Sequence, residues 1–292
     1  MKTVTLDSPA KINLMLSVHG KRGDGFHALT SVVVALAFGD TLRVTLNEKA
    51  ADQLVCSDSA VPTGAANLIL QAAGAFRAEL GEASYFDFEL EKRVPMGAGL
   101  GGGSSNAAVA LKGMNQLTGE QICHASLLEL AAGLGSDCPF FIDSAPSIMT
   151  GRGEMLEALP ENLAQSLSGR SVLLFRPDFG VNTGWAYRQL LEANPPYYES
   201  ADAATARLSR FRQSGRIKDL LFNTFEGAVG AKYVAIPCLL DELRAEGAAC
   251  LMSGSGSCCF AFAESAEEIG SIQTICRKAW GPRAFFIETS LC

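Results

Sequence analysis

The sequence predicts an α+β protein built in two halves that meet near residue 155. Strand-like and helix-like segments are mixed along the 292 residues, without the strict alternation expected of a parallel α/β sheet. Of these residues 48% are hydrophobic and 19% are charged, which is a globular composition with enough apolar side chains for a sizeable core. We therefore expect one domain over residues 1–155 and a second over residues 156–292.

The first ninety or so residues are predicted to be mainly β, with one helix. Residues 4–18 alternate in polarity, and residues 29–46 are typical of β structure with a turn at Gly39–Asp40. Residues 67–81 place apolar side chains at helical spacing between a capping asparagine and a final glycine. Residues 85–95 alternate phenylalanine and leucine with acidic residues, which predicts a half-buried strand.

Helices and strands are predicted to be interspersed in the rest of the chain. The pattern indicates helices at residues 104–117, 126–135, 183–193 and 233–248. It indicates that residues 136–142 lead into a strand. It also indicates a polar loop at 151–160, a strand at 171–177, and two strands or one bent strand at 250–263.

Charge and cysteine usage exclude several classes of protein. The formal net charge is −7, whereas a general nucleic-acid binder needs a basic surface, so an anionic ligand would depend on a few placed cations. Nine cysteines, with no Cys-x-x-Cys pair and only three histidines, argue against a zinc site or a disulfide framework and favour buried thiols in a reducing cytoplasm. The sequence shows neither a signal peptide nor an apolar run of about 18 residues, so we expect no membrane span.

The most unusual stretch is residues 97–103, where five of seven residues are glycine. A flexible linker would lie between polar, aperiodic segments, but this stretch joins a predicted strand to a predicted helix. It is followed by Ser104, Ser105 and Asn106, which are residue types that cap helix starts. Because a helix N-terminus offers free N–H groups and missing side chains let an anion approach, the stretch is predicted to cradle a phosphate.

Neither common phosphate motif explains this cradle. Gly97, Gly99 and Gly102 fit the G-x-G-x-x-G pattern, but a Rossmann fold needs an acidic residue at the next strand about 20 positions later. There the sequence is still helical or turning. A Walker A loop needs a lysine after the last glycine, and none follows Gly103.

The complete string from Pro95 to Ser105, P-x-G-x-G-L-G-G-G-S-S, resembles the ATP-binding signature of the GHMP small-molecule kinases. Three further stretches, SPAKINLML, KRGDGFHALTSV and GLGSDCPFFI, stand in the order found in 4-diphosphocytidyl-2-C-methyl-D-erythritol kinases, and MSGSGSCCFAF resembles the third motif of that family. The resemblance implies a two-domain GHMP kinase fold, with a ribosomal protein S5 domain 2-like N-terminal half and a ferredoxin-like C-terminal half.

The resemblance also implies ATP and Mg²⁺ as cofactors. The residues it assigns to the nucleotide are Pro95, Met96, Gly97, Ala98, Gly99, Leu100, Gly101, Gly102, Gly103, Ser104, Ser105 and Asn106, with Asn67 and Lys92 nearby. Asn67 is equally explained as a helix cap, and Lys92 as a solvated charge at a strand end. Mg²⁺ takes few protein ligands besides the phosphates, so a cradle hydroxyl, Ser105 or its neighbour Ser104, is the expected ligand.

Lys11 and Asp137 are the catalytic residues that the resemblance implies. Lys11 and Asn13 are two residues apart on a predicted strand, so their side chains share one face. The simple alternative to a catalytic role is that both lie at a solvated edge of the sheet. Asp137 follows Gly135 and Ser136 and could equally be a turn or capping aspartate. In the family pattern Lys11 stabilises the transferring phosphoryl group and Asp137 accepts the proton of the attacking hydroxyl. We expect the two to lie side by side, with Lys11 keeping Asp137 ionised.

The remaining expected contacts are with the second substrate, a cytidyl diphosphate sugar alcohol. Phe26 stands where the family usually has tyrosine, so the stacking face is kept and a hydroxyl is lost. The residues implied for this substrate are Asn13, Phe26, His27, Thr183, Gly254, Ser255 and Gly256. A structural histidine and a simple hairpin turn at residues 254–256 are the alternatives.

The expected function is therefore ATP-dependent phosphorylation of the 2-hydroxyl of 4-diphosphocytidyl-2-C-methyl-D-erythritol, in the non-mevalonate isoprenoid pathway and in the cytoplasm. Two alternatives stay open at this point. A GHMP kinase could act on another small alcohol such as homoserine or a mevalonate derivative, although such relatives need no cytosine pocket. A catalytically silent sensor could keep the kinase fold, although such a protein would be expected to lose Lys11 or Asp137, and both are present.

Overall fold

The structure, a computed structural model, describes residues 2–193 and 197–292. Its strands are β1 (Thr3–Lys21), β2 (His27–Asn47), β3 (Gln53–Cys56), β4 (Tyr85–Glu91), β5 (Ser147–Thr150), β6 (Met155–Ala158), β7 (Ser171–Arg176), β8 (Phe222–Asn223), β9 (Ala249–Met252), β10 (Cys259–Phe262) and β11 (Phe285–Ser290). Its helices are α1 (Leu68–Leu80), α2 (Gly102–Leu117), α3 (His124–Leu134), α4 (Phe140–Asp143), α5 (Glu161–Leu167), α6 (Thr183–Glu192), α7 (Ala201–Ser214), α8 (Phe225–Gly230), α9 (Ala235–Ala245) and α10 (Ala266–Trp280). This mixture confirms the α+β class.

The chain forms two compact units from interleaved segments. The first unit contains the chain up to Ala10, Phe38–Met96 and Gly101–Ala145. The second unit contains Lys11–Ala37, Gly97–Leu100 and Pro146–Cys292. Strands β1 and β2 and the glycine-rich stretch therefore each contribute to both units, and the division of the chain at residue 155 stays a prediction.

In the first unit, helices α1, α2 and α3 contact one another, and β4 provides apolar side chains to the core. Strand β4 pairs antiparallel with Thr41–Asn47 of β2 and parallel with β3. Its residues Phe86, Phe88 and Leu90 are buried, and the Phe86 ring meets the ring of Phe76 from α1 edge to face. The alternating pattern in this segment thus forms the half-buried strand that the sequence predicts.

Helix α1 begins and ends where the sequence predicts. The Asn67 side chain accepts a hydrogen bond from the backbone N–H of Ile69, and Gly81 closes the helix in a left-handed conformation. Both ends therefore satisfy backbone groups that would otherwise lack partners.

The predicted turn at Gly39–Asp40 is wrong, because β2 runs through it without interruption. A Cβ atom on Gly39 would lie 2.6 Å from the Cα atom of Pro9 and would overlap the carbonyl oxygen of Ser8. Glycine is needed here for the close approach of two strands of the first unit, which is a different requirement from a turn.

The second unit contains an antiparallel sheet in the order β11-β7-β10-β9. Cys259 of β10 lies opposite Met252 of β9 and Phe175 of β7, so residues 250–263 form two strands rather than one bent strand. Leu36 in β2 forms an isolated antiparallel bridge with Leu291, and the N–H of Cys292 donates to the carbonyl of Ala35 at 3.0 Å.

Two further expectations in this region need correction. The polar loop expected at residues 151–160 contains β6, which pairs antiparallel with β5. Residues 140–143 form the short helix α4, so the strand expected after them begins only at Ser147. The short apolar run at Phe140–Ile142 has no periodicity that separates a buried turn of helix from a strand.

All nine cysteines are free thiols, and five of them are buried: Cys138, Cys250, Cys258, Cys259 and Cys276. Burial raises the pKa of Cys258 to about 12. The expectation of buried thiols holds for these five, whereas Cys123, Cys238 and Cys292 are exposed. Within residues 2–193 and 197–292, no cluster of three or more histidine, cysteine or acidic side chains is arranged to hold a metal ion, and no helix is long and apolar enough to cross a bilayer.

Candidate active site

The glycine-rich stretch is built from alternating left-handed residues that lead into α2. Gly97, Gly99 and Gly101 have φ angles of 62°, 75° and 71°, a region that side chains other than glycine rarely adopt. Gly101 is the N-cap of α2 and has no side chain to donate or accept there. The helix therefore begins before the serines, and Ser104, Ser105 and Asn106, expected as caps, lie inside its first turns.

In the second unit, residues 97–100 pack against residues 253–258, the third glycine-containing motif. The hydroxyl of Ser253 donates to the carbonyl of Gly99 at 3.0 Å, and the N–H of Cys258 donates to the carbonyl of Ala98 at 3.2 Å. A Cβ atom on Gly99 would lie 3.0 Å from the carbonyl carbon of Ser253 and closer still to its oxygen. The structure thus brings two stretches together that are 150 residues apart in the sequence.

The loop at residues 254–256 is held from both sides within the second unit. The Ser255 hydroxyl lies 2.9 Å from the hydroxyl of Thr183, at the start of α6. The Asn223 amide donates to the carbonyls of Met252 and Gly254 at 2.7 and 2.8 Å. Thr183 and Ser255 are therefore neighbours as candidate substrate residues, whereas Asn223 carried no signal in the sequence that would single it out.

Lys11 and Asn13 share one face of β1, as their spacing predicts. They are not at a solvated edge, because only 4% of Lys11 and 3% of Asn13 is exposed. The Lys11 ammonium donates to the side-chain oxygen Oδ1 of Asn13 at 2.6 Å, and the Asn13 side-chain amide donates to the Ser31 hydroxyl at 2.8 Å. The N–H of Lys11 also donates to the carbonyl of Leu100 at 3.0 Å, which ties β1 to the glycine-rich stretch inside the second unit.

In the first unit, a buried polar network fixes the start of α2. The Ser8 hydroxyl donates to the Ser105 hydroxyl at 2.8 Å, and the Asn106 amide donates to Ser8 at 2.8 Å and to Asp40 at 2.9 Å. Asp40 also accepts from the ammonium of Lys92 at 2.5 Å, and both side chains are almost completely buried. The Lys92 charge is therefore neutralised inside the protein, and its contact with a nucleotide stays a prediction.

Asp137 is half-buried in the first unit, in the loop after α3. The neighbouring thiol of Cys138 is buried, which raises its pKa to about 11. A hydrogen bond with Ser104 opposes this rise, and the charge of Asp137 adds to it. Cys138 thus lies within reach of both Ser104 from α2 and the carboxylate of Asp137, two of the residues that the family pattern assigns to the site.

An aromatic group in the second unit surrounds His27. Its ring centroid lies 4.9 Å from that of Tyr187 and 6.0 Å from that of Tyr198. The Nε2 atom of His27 and the hydroxyl of Tyr198 are buried without a hydrogen-bond partner among the residues that the structure describes. Burial lowers the pKa of His27, with a smaller contribution from the charge of Lys21. The ring is therefore a neutral group with an unused polar atom, which suits it to meet a ligand.

Phe26, by contrast, is 48% exposed, and the guanidinium carbon of Arg152 lies 4.7 Å from the centre of its ring. One face of this ring is thus already used in a cation–π contact. Tyr187, Tyr198 and Arg152 come from segments 120 to 170 residues away from Phe26 and His27, so no local pattern could have grouped them.

Of the other predicted nucleotide residues, Pro95 is half-buried and Met96 is exposed, at the end of one segment of the first unit. Asn67 is a helix cap in the structure, and its amide also donates to the carbonyl of Pro62 at 2.7 Å. Its contact with adenine stays a prediction. The juxtaposition of Lys11 and Asp137 also stays a prediction, since one belongs to the second unit and the other to the first.

Comparison with known proteins agrees with this arrangement of motifs. The GHMP kinases N terminal domain matches residues 67–151, and the GHMP kinases C terminal domain matches residues 203–281. The 4-diphosphocytidyl-2-C-methyl-D-erythritol kinase of Synechococcus sp. (strain CC9902) is 39% identical over 274 residues, which is 88% of this chain and 87% of the relative. The enzyme of that name from Protochlamydia amoebophila is 37% identical over 89% of this chain and 84% of its own length.

Solved structures extend the comparison to the fold. A crystal structure of 4-(cytidine 5'-diphospho)-2C-methyl-D-erythritol kinase is 30% identical, with a TM-score of 0.75 over 98% of this chain and 99% of that one. Homoserine kinase from Cytophaga hutchinsonii is 17% identical and shares the fold, with a TM-score of 0.71 over 100% of this chain and 96% of its own. The chain is a phosphotransferase that belongs to the GHMP kinases and, within them, to the family of 4-diphosphocytidyl-2-C-methyl-D-erythritol kinases.

Proposed function

We propose that this chain transfers the γ-phosphoryl group of ATP to the 2-hydroxyl of 4-diphosphocytidyl-2-C-methyl-D-erythritol. The observation that carries the proposal is the likeness, over almost 90% of the chain, to relatives named for that substrate. The use of ATP follows from membership of the GHMP kinases. The neutral, half-buried His27 with its aromatic neighbours supports an acceptor that carries a base, which homoserine and mevalonate lack.

The phosphates of ATP are proposed to bind to the backbone of residues 95–106. Bare glycines leave the N–H groups of this stretch accessible, and the positive end of the α2 dipole favours an anion. The stretch is well suited to hold a fixed shape before the ligand arrives. Within the second unit, residues 97–100 are hydrogen-bonded to the loop at 253–258. Within the first unit, Ser105 is hydrogen-bonded to Ser8, and Asn106 to Asp40.

Lys11 and Asp137 are proposed to perform the transfer. Asp137 orients the 2-hydroxyl and takes its proton as the new O–P bond forms and the bond between the γ-phosphorus and the bridging oxygen of ADP breaks. The ammonium of Lys11 then stabilises negative charge on the transferred group. Its hydrogen bond to Asn13 supports this role, because it holds a long, flexible side chain in one position on β1.

The substrate is proposed to bind with its cytosine near Phe26 and His27. Phe26 keeps a stacking face but cannot form the hydrogen bond of the tyrosine it replaces. The diphosphate is proposed to lie near Thr183 and the loop of Gly254, Ser255 and Gly256, and Asn13 to contact the sugar alcohol. The hydroxyl pair of Thr183 and Ser255 supports an anionic ligand there.

Mg²⁺ is proposed as the cofactor, and when bound it would neutralise charge on the phosphates. Because the described residues offer no acidic cluster for it, the ion would be held mainly by phosphate oxygens, as Mg²⁺ commonly is. Of the two candidate hydroxyls, Ser105 is completely buried and accepts a hydrogen bond from Ser8, whereas Ser104 is half-buried. This burial favours Ser104 as the ligand, and Ser105, the ligand expected first from the sequence, is the alternative.

Direct product analysis tests the proposal. The purified chain is incubated with ATP and Mg²⁺ and with the cytidyl substrate, homoserine or mevalonate in parallel, and ADP release is followed. Of the three acceptors, we expect only the cytidyl substrate to cause ADP release. Its product should show a new phosphomonoester signal in the phosphorus NMR spectrum. Faster release with homoserine or mevalonate would favour another GHMP kinase activity. Binding of both ligands without any product would favour a silent sensor.

Two variants test the proposed catalytic residues. We expect Asp137→Asn to abolish turnover while ATP affinity stays nearly unchanged, since the carboxylate acts on the acceptor hydroxyl. A variant that turns over at the wild-type rate would remove Asp137 from the mechanism. We expect Lys11→Ala to lower kcat more than it raises KM for ATP. A loss confined to ATP affinity would make Lys11 a nucleotide ligand instead.

A further inference from the structure

Arg176 lies at the end of β7, half-buried beside both glycine-containing stretches of the second unit. Its Nε atom lies 3.4 Å from the hydroxyl of Ser257. A Cβ atom on Gly180 would lie 3.9 Å from its Nη2 atom and 3.5 Å from the carbonyl oxygen of Gly97. The guanidinium group and the start of the glycine-rich stretch therefore flank the same residue, Gly180.

Arg176 forms no ion pair within the part of the chain that the structure describes. Among residues 2–193 and 197–292, no carboxylate lies within ion-pair distance of its guanidinium group. The acidic residue nearest in the sequence, Asp178, pairs instead with Arg283 at 3.5 Å. A partly buried cation without a partner is costly to keep, and this one stands in a chain whose net charge is −7.

A purely structural role does not account for this arrangement. The contact with Ser257 is long for a hydrogen bond and uses one of the five N–H donors of the guanidinium group. The Ser257 hydroxyl accepts from Arg176, and its own proton is donated to the carbonyl of Phe179. The loop is thus held without the charge, and the other donors of Arg176 are left for a ligand.

We propose that Arg176 binds a phosphate group of a bound substrate. The inference rests on the proposed function, in which both substrates carry phosphates and bind along residues 95–106 and 254–256. A guanidinium group matches phosphate oxygens with two parallel hydrogen bonds, which a lysine cannot reproduce. The phosphate belongs either to the nucleotide or to the diphosphate of the cytidyl substrate, and binding measurements distinguish the two.

The test is calorimetric titration of the full chain with ADP, adenosine, CDP and cytidine, which requires no turnover. The variants are Arg176→Met, which removes the charge, and Arg176→Lys, which keeps it without the planar fork. Arg212→Met is the matched control, because Arg212 is exposed on α7 of the same unit and has only a 3.8 Å pair with Glu157. It lowers the net charge equally, away from the glycine-containing stretches.

We expect Arg176→Met to weaken the binding of one diphosphate by about 10-fold to 100-fold, as for other hydrogen bonds to charged groups. Adenosine and cytidine should bind to it as to the wild type, Arg176→Lys should be intermediate, and Arg212→Met should change nothing. A loss for ADP assigns the phosphate to the nucleotide, and a loss for CDP assigns it to the second substrate.

Unchanged binding of both diphosphates would overturn the proposal, and so would an equal loss for a diphosphate and its nucleoside. If Arg176→Met does not fold, Arg176→Lys decides by the same comparison of diphosphate with nucleoside. The catalytic proposal is tested separately by product formation in the wild type, so a failure of one is not a failure of the other.

Discussion

Replacing Gly99 with alanine tests the packing that joins the glycine-rich stretch to the loop at 253–258. The new methyl group would lie 3.1 Å from the backbone nitrogen of Gly256 and would overlap the carbonyl of Ser253. The three nearest atoms all belong to the backbone of residues 253–256, so no flexible side chain can move away to make room. The carbonyl of Ser253 or the whole glycine-rich stretch must shift, and the 3.0 Å hydrogen bond from Ser253 to Gly99 is then lost.

The magnitude follows from two contributions. A left-handed φ of 75° costs alanine about 1 to 2 kcal/mol. Forcing a methyl group into packed structure costs about 1 to 3 kcal/mol more. The free energy of unfolding should therefore fall by about 2 to 5 kcal/mol, which corresponds to a decrease in Tm of roughly 3 to 8 °C for a chain of this size.

Gly97→Ala is the matched control for this experiment. Its φ of 62° is similar, but apart from its two chain neighbours no described residue has an atom within 4 Å of the position of its Cβ atom. Only the backbone cost applies, so we expect a loss of about 1 to 2 kcal/mol. Thermal and denaturant unfolding without nucleotide measure both variants. Equal stability of the two alanine variants would refute the reasoning that close packing, rather than backbone conformation alone, requires Gly99.

Three further predictions concern buried groups. Asp40→Ala leaves the ammonium of Lys92 buried without its partner, so we expect the free energy of unfolding measured with denaturant to fall by about 3 to 5 kcal/mol. The control Asp7→Ala, at an exposed position, should cause almost no loss. Similar losses for the two variants would contradict this prediction. Burial lowers the pKa of His27 in the folded protein below its ordinary value of 6.5. As the pH falls below 6.5, the unfolded chain therefore binds more protons at this residue than the folded protein does, and the free energy of unfolding should decrease. Unfolding of His27→Gln at several pH values should show a flatter dependence, and equal slopes would argue against it. A thiol reagent at neutral pH should modify the exposed cysteines in the folded protein but not Cys258, whose pKa is raised to about 12. Mass spectrometry that finds Cys258 modified in the folded protein would show this to be wrong.

Local structure could be predicted from the sequence where local interactions decide it. Helix α1 has its cap, its apolar face and its final glycine in one run of residues, and the structure places both ends as predicted. The spacing of Lys11 and Asn13 likewise fixes their common face. At Gly39 the same reasoning fails, because glycine serves a turn in some proteins and a close strand contact in this one.

The site could be predicted as far as its motifs, and no further. Five glycines in seven residues and their neighbours predict an anion cradle and a family. The groups that complete each part of it come from distant segments. Asp40 is buried against Lys92, and Tyr187 meets His27 across 160 residues. Such partners are set by tertiary packing, which a pattern of one to two dozen residues does not contain.

The bridge between Leu36 and Leu291 has a consequence for how this protein folds. Its two partners are 255 residues apart in the sequence, so bringing them together closes a far longer loop of chain than any local contact does. Such long-range contacts raise the mean sequence separation of contacting residues, and folding becomes slower as that separation grows. We therefore expect this bridge to form late in folding, after the local helices and hairpins.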